Sequence, residues 1–171
     1  MIIIILFQFN ISPKTWIFDT QTNTWTQGPS MKTGRENHGC FTIDQSGTTT
    51  KVVAMGGKGS GWRSLASAEI LDVASMQWED LPDLPFGVYG NKGVESVISP
   101  NLGFSVAGRT RYNEIKDRII GLRKNRNGTY FWQELTIQLN YGRYEHTVVN
   151  VPESMFNGTN VFAPKFQSRF C

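Results

Sequence analysis

The chain is poor in the residues that usually carry chemistry. It has two histidines and two cysteines in 171 residues, His38, His146, Cys40 and Cys171. That is too few cysteines for a disulfide scaffold, and with no Cys-x-x-Cys pair or Cys/His cluster the sequence offers no metal site. Charge of one sign is equally scarce: 17 Lys and Arg stand against 14 Asp and Glu, a net charge of +3, so no electrostatic case for a nucleic-acid partner arises. No apolar run approaches the roughly 20 residues that span a bilayer. The opening run from Met1 to Phe9 is apolar, yet no Lys or Arg precedes it and the first charge is Lys14, unlike a secretory leader. It reads as a buried strand, or as a start codon placed inside a longer gene. Also missing is the three-to-four residue apolar spacing of a long amphipathic helix. What remains, 39% hydrophobic and 18% charged residues, is an ordinary globular composition.

What the chain does have is a period. Thr15-Trp-Ile-Phe-Asp19, followed by Trp25, returns as Ala68-Glu-Ile-Leu-Asp72, followed by Trp78, with Asp six residues before Trp each time. A weaker copy runs from Arg118 through Asn127-Gly128 to Trp132. The three tryptophans are 53 and 54 residues apart, and a second mark, Arg-x-x-His, occurs at Arg35 to His38 and at Arg143 to His146, 108 residues apart. Independent features share one interval, which is the signature of a stacked repeat.

Inside each interval the local pattern is β. Gly39 to Ile43 and Lys51 to Gly57 flank the turn-rich Asp44-Gln-Ser-Gly-Thr48, and Leu65 to Val73 pairs with Met76 to Leu81 across Ala74-Ser75. Four short strands at a period near 50 match a propeller blade. The expected fold is therefore all-β, a fragment of about three four-stranded antiparallel blades. Residues 1–31 would be the C-terminal part of one blade, 32–85 and 86–139 two blades, and 140–171 the start of a further, truncated one.

These marks resemble the kelch repeat, whose di-glycine ends the second strand and whose Trp stands in the fourth. Gly56-Gly57, Asp72 and Trp78 carry the resemblance, which runs from about residue 15 to about residue 149. It is looser where Ala107-Gly108-Arg109 stands for the di-glycine and Tyr89-Gly-Asn-Lys92 for Arg-x-x-His. The structural marks are thus Trp25, Trp78, Trp132, Gly56, Gly57, Arg35, His38, Arg143 and His146. Each outer-strand Trp would cover the gap to a neighbouring blade with about 200 Å² of apolar surface, and Arg and His would supply donors to buried carbonyls. Propellers close with four to eight blades, so further kelch blades are expected in the full-length protein.

No catalytic set emerges. Both histidines hold repeat positions, and Cys40 reads as a small core residue, because residues i and i+2 of a strand lie about 6.6 Å apart, too far for a direct bond to His38. Gly56-Gly-Lys-Gly-Ser60 lacks the full phosphate-loop pattern and is followed by no helix. The Tyr and His set of kelch-like copper oxidases and the repeated Asp-containing turn of sialidases are likewise not found. We expect no enzyme activity, cofactor or metal. The resemblance implies instead a protein or peptide partner held by rim loops. The residues assigned to that surface are Lys58, Trp62 and Arg63 after one second strand, Arg109, Arg111 and Tyr112 after the next, and Asn37, Asn91 and Glu145 from segments leading into first strands. Four of the nine are cationic, which points to an acidic segment.

The leading specific expectation is a kelch-like adaptor presenting substrates to a cullin ubiquitin ligase. A secreted carbohydrate-binding or glycoprotein-binding propeller, suggested by the sequons at Asn10, Asn127 and Asn157, and an actin-associated scaffold are the alternatives. A cytoplasmic placement is favoured over an extracellular one.

Overall fold

A computed structural model describes residues 2–6, 10–45, 49–96 and 101–148; the expectations that fall on 149–171, among them the Asn157 sequon and Cys171, lie outside the described residues. Three antiparallel sheets follow one another along the chain. The first holds β1 (Ile2–Leu6), β2 (Thr15–Asp19) and β3 (Thr24–Gln27). The second begins with β4 (Gly39–Gln45) and β5 (Thr49–Met55). A two-stranded ribbon of β6 (Lys58–Gly59) and β7 (Arg63–Ser64) then brackets a 3-10 turn at Ser60–Trp62, after which β8 (Ala68–Asp72) and β9 (Gln77–Leu81) complete the sheet in the order β4-β5-β8-β9. The third holds β10 (Lys92–Glu95), β11 (Asn101–Arg109), β12 (Ile115–Lys124) and β13 (Tyr130–Gln138), also in chain order. The strand expected from Leu65 is shorter, starting at Ala68, because Leu65 and Ser67 hydrogen-bond through their backbones to the two glycines instead.

The period becomes register. Phe18 lies opposite Trp25, Leu71 opposite Trp78, and Leu122 opposite Trp132. In the first two sheets the repeated Asp closes the turn between these strands. Asp19 accepts from the Gln21 amide at 2.8 Å, and Asp72 from the Ala74 and Ser75 amides at 3.0 and 3.1 Å. Four residues after each Asp the chain turns left-handed, at Asn23 (φ 55°) and Met76 (φ 55°). In the third sheet Asn125 takes over, accepting from the Asn127 and Thr129 amides, with Gly128 (φ 85°) as the left-handed residue.

The middle sheet is covered on both faces, so its second strand is a continuous buried run from Val52 to Met55 rather than an alternation. Val53 and Met55 join Phe41, Ile43, Ile70 and Leu81 in a core shared with Ile120 and Leu122 of the third sheet. Val52 and Ala54 turn the other way, to Leu71, Trp78 and Met31. Each indole also donates to the previous sheet: Trp78 Nε1 to the Pro29 carbonyl at 3.0 Å, and Trp132 Nε1 to the Pro82 carbonyl at 2.8 Å. Pro29 and Pro82 are 53 residues apart, as Trp25 and Trp78 are. The tryptophan is therefore both apolar wedge and hydrogen-bonded latch between sheets.

Near the inner ends a second stitch repeats. Gly90 donates its amide to the Asn37 carbonyl at 2.7 Å, and Glu145 donates to the Gly90 carbonyl at 2.8 Å. All three residues are left-handed, with φ of 48°, 62° and 51°. Gly56 and Gly57, at φ 65° and 95°, leave β5 where a Cβ would stand 2.6 Å from the Val88 carbonyl oxygen or 2.7 Å from that of Glu36, so glycine is required there. Ala107 adopts the same left-handed region at φ 53° in the place of the first glycine.

Two structural expectations are corrected. Arg35 does serve buried carbonyls, donating to Gly56 and Ser67 at 2.7 and 3.0 Å, but His38 does not: both its ring nitrogens are buried with no hydrogen-bond partner. Cys40 is exposed rather than in the core, because alternation along β4 buries Gly39, Phe41 and Ile43 and turns Cys40 outward.

Candidate functional site

Three segments per repeat converge on one rim: the residues after the di-glycine, the loop that follows, and the segment leading into the next inner strand. Within a blade they are tied by backbone pairing. Glu36 and Lys58 exchange amide bonds at 3.0 and 2.8 Å, and Tyr89 and Arg109 do the same at 2.9 and 2.8 Å. Between blades the tie is a cation over an aromatic ring. Lys58 Nζ lies 4.5 Å from the Tyr89 ring centroid and Arg109 Cζ lies 5.0 Å from that of Tyr144. The cation following each di-glycine thus rests on the tyrosine of the next blade, an arrangement worth roughly 0.5–1 kcal/mol where exposed.

The expected rim residues sort accordingly. Lys58 and Arg109 are partly taken up by these inter-blade contacts; Lys58 also lies 5.2 Å from the Trp62 ring and 3.9 Å from Glu36 Oε1. Trp62, at φ 59° on its 3-10 turn, stands 70% exposed, and Tyr112 stands 78% exposed with Arg111 Cζ 4.9 Å from its ring. Arg63 and Arg111 are both exposed, and the two loops that carry them are joined by the Arg111 amide donating to Ser64 Oγ at 3.1 Å. Asn37 and Glu145, 108 residues apart in sequence, approach across the rim, Asn37 Nδ2 to Glu145 Oε1 at 3.4 Å. Asn91 is the exception. It is fully buried, donating to Ser105 Oγ at 3.0 Å and toward the Met55 carbonyl at 3.5 Å, and its place among partner-contacting residues is withdrawn.

Sequence reasoning missed several groups. Tyr89 and Tyr144 were legible in principle, since each precedes a left-handed residue and they are 55 residues apart. Glu69 was not: it pairs with Arg35 at 2.7 Å with both side chains buried, and also accepts from the Lys32 and Thr33 amides at 2.6 and 3.1 Å. Trp16 holds its place in the first repeat, so no periodicity marks it.

Titration around the rim is governed by burial. Burial, reinforced by the Arg35 and Lys92 charges, lowers His38 to about 3, and burial with the Arg143 and Lys92 charges lowers His146 to about 4. Both imidazoles are therefore neutral near pH 7. Among the described residues no group of three His, Cys, Asp or Glu could hold a metal ion, and no helix is long and apolar enough to cross a membrane. The sequon residues Asn10 and Asn127 are both exposed.

No protein-family model matches the chain. Two curated relatives do. The chain is 29% identical over 76 residues to kelch-like protein 34 of Homo sapiens, covering 44% of this chain and 11% of that protein. It is 35% identical over 77 residues to an F-box/kelch-repeat protein of Arabidopsis thaliana, covering 45% of this chain and 18% of that protein. In fold it matches the solved structure of YjhT, a kelch-type propeller, with a TM-score of 0.59 at 14% identity over 75% of this chain and 44% of that one. The chain folds as part of a β-propeller and is similar in sequence to kelch-repeat proteins. Its kelch marks explain the geometry above: the di-glycine supplies the left-handed exit from β5, and the Trp supplies the latch to the preceding blade. The matched segments span between about a tenth and a fifth of the two curated kelch relatives.

Proposed function

We propose that this kelch segment is a protein-interaction module whose rim takes an acidic segment of a partner protein. The observation that carries the reading is the joined pair of loops that present Trp62 and Tyr112, 70% and 78% exposed, beside the exposed Arg63 and Arg111. Aromatic and Arg side chains are the residues most enriched among binding hot spots, and rigid strands hold these loops in place. Blades at 32–85 and 86–139, flanked by the partial units 1–31 and 140–171, are the division that goes with this reading.

An adaptor role, in which the propeller presents substrates to a cullin ubiquitin ligase, is the finer form of the proposal. The names of the two relatives, kelch-like and F-box/kelch-repeat, support it.

The test is binding of the 171-residue chain to an array of Glu/Asp-rich peptides, with Lys-rich peptides as controls, followed by fluorescence anisotropy on those that bind. Acidic peptides should bind, more weakly as salt rises, and Arg63→Ala with Arg111→Ala should weaken them at least about tenfold, roughly 1.4 kcal/mol. Equal binding of both charge classes, or unchanged affinity in the double variant, contradicts the proposal.

A further inference from the structure

Bulky side chains avoid the left-handed region, because there the Cβ crowds the backbone. Trp62 nevertheless sits in it, at φ 59°, directly after Gly61 at φ 70°. The ribbon of β6 and β7 imposes the conformation: Lys58 pairs with Ser64 and Gly59 with Arg63, which leaves Ser60, Gly61 and Trp62 to reverse the chain. The strain brings the fold little in return. All three turn residues are exposed, and neither core cluster of the described residues includes Trp62. Lys58 Nζ, 5.2 Å from its ring centroid, is shared with the Tyr89 ring at 4.5 Å. The turn belongs to the middle blade, which has a sheet packed on each side. Backbone strain and apolar exposure meeting at one residue point to a role outside the fold.

The surroundings of Trp62 set the chemistry of what would cover it. Arg63 follows Trp62 in sequence, Arg111 precedes Tyr112, and the Arg111 amide joins the two loops through Ser64 Oγ. Each loop therefore sets a cation beside an aromatic ring. A segment of carboxylates alone would answer the cations and leave both rings in water, and ion pairs at such exposed positions are weak and screened by salt. An apolar side chain laid on the indole would bury surface on both partners, a gain that does not depend on charge. We propose that the acidic partner segment also carries an apolar side chain of the size of Leu or Phe next to its carboxylates, and that Trp62 is the platform on which that side chain packs. This inference rests on the rim reading and adds a second requirement to its partner.

The experiment is fluorescence anisotropy of the 171-residue chain with three labelled peptides of equal length: Glu alternating with Leu, Glu alternating with Ser, and Lys alternating with Leu. The Glu/Leu peptide should bind at least about tenfold more tightly than the Glu/Ser peptide, roughly 1.4 kcal/mol, and keep that advantage as salt rises. Trp62→Asn, a residue that suits a left-handed position, should abolish the advantage and leave the melting midpoint unchanged or higher. Equal binding of the two Glu peptides to the unaltered chain overturns this inference alone, as does an advantage that persists in Trp62→Asn. A lowered midpoint in Trp62→Asn also contradicts it, because the fold itself would then need the indole. No binding by either Glu peptide, or Lys/Leu binding as tightly as Glu/Leu, overturns the rim reading and this inference with it.

Discussion

Trp25 and Trp78 occupy the same place in two sheets, each six residues after a turn-closing Asp, yet one is 51% exposed and the other 8%. Nothing in their local sequence accounts for that difference. Trp78 has a sheet in front of it, with Met31 to pack on and the Pro29 carbonyl to receive its N–H, and among the described residues Trp25 has none of this. The repeat therefore dictates where each wedge is placed, while the neighbouring blade decides how much the wedge stabilises. Burying about 200 Å² of indole is worth up to roughly 5 kcal/mol at about 25 cal/mol per Å², and only the covered tryptophan collects it.

The comparison breaks most readily by truncation. Trp78→Ala should cost about 3–5 kcal/mol. Trp25→Ala should stay within about 0.5 kcal/mol, as for an exposed surface position. Urea denaturation of the three proteins measures both, and equal losses contradict the difference. Of similar size is the buried Arg35–Glu69 ion pair of the middle sheet. Arg35→Ala leaves Glu69 buried and unpaired, a loss of about 3–5 kcal/mol, whereas Trp16, at Glu69's place in the first sheet, has no such dependence on an arginine.

The pH dependence sharpens the same contrast. His38 ionises near 6.5 when unfolded and near 3 when folded, so between those values the unfolded chain binds the extra proton. Stability from this group is complete above about pH 6.5 and falls by about 1.4 kcal/mol per pH unit as the solution is acidified toward pH 3, and His146, near 4 when folded, adds a like slope down to about pH 4. Chemical denaturation at stepped pH should show the summed slope, and His38→Gln should remove its own share and leave that of His146. The smallest effect separates two exits from a second strand. Ala107→Gly should raise the melting midpoint, gaining about 1 kcal/mol by relieving a left-handed alanine. Gly56→Ala, where the new methyl would meet the Val88 carbonyl oxygen, should lower it.

Much of the architecture was legible because it is written more than once. Trp78, Asp72 and Gly56-Gly57 have counterparts one interval away, and a repeated residue implies a repeated role. Features that join distant segments a single time were not legible. Glu69 finds Arg35 across 34 residues and has no counterpart, so only the folded sheet brings them together. Asn91 misled because it lies in a loop-like stretch of sequence, while in space it takes the inner position that His38 takes one blade earlier and is buried for the same reason. The rim was legible in part. Trp62, Arg63, Arg111 and Tyr112 stand out on polar loops, but that Lys58 and Arg109 lean on the tyrosines of the next blade becomes visible only once two blades stand side by side.

The wedge account is tested most directly by hydrogen exchange at the indole N–H groups, read by NMR. Trp78 and Trp132, which donate to the Pro29 and Pro82 carbonyls, should exchange slowly, and Trp25 and Trp62 quickly. Slow exchange at Trp25, or fast exchange at Trp78 and Trp132, would contradict it.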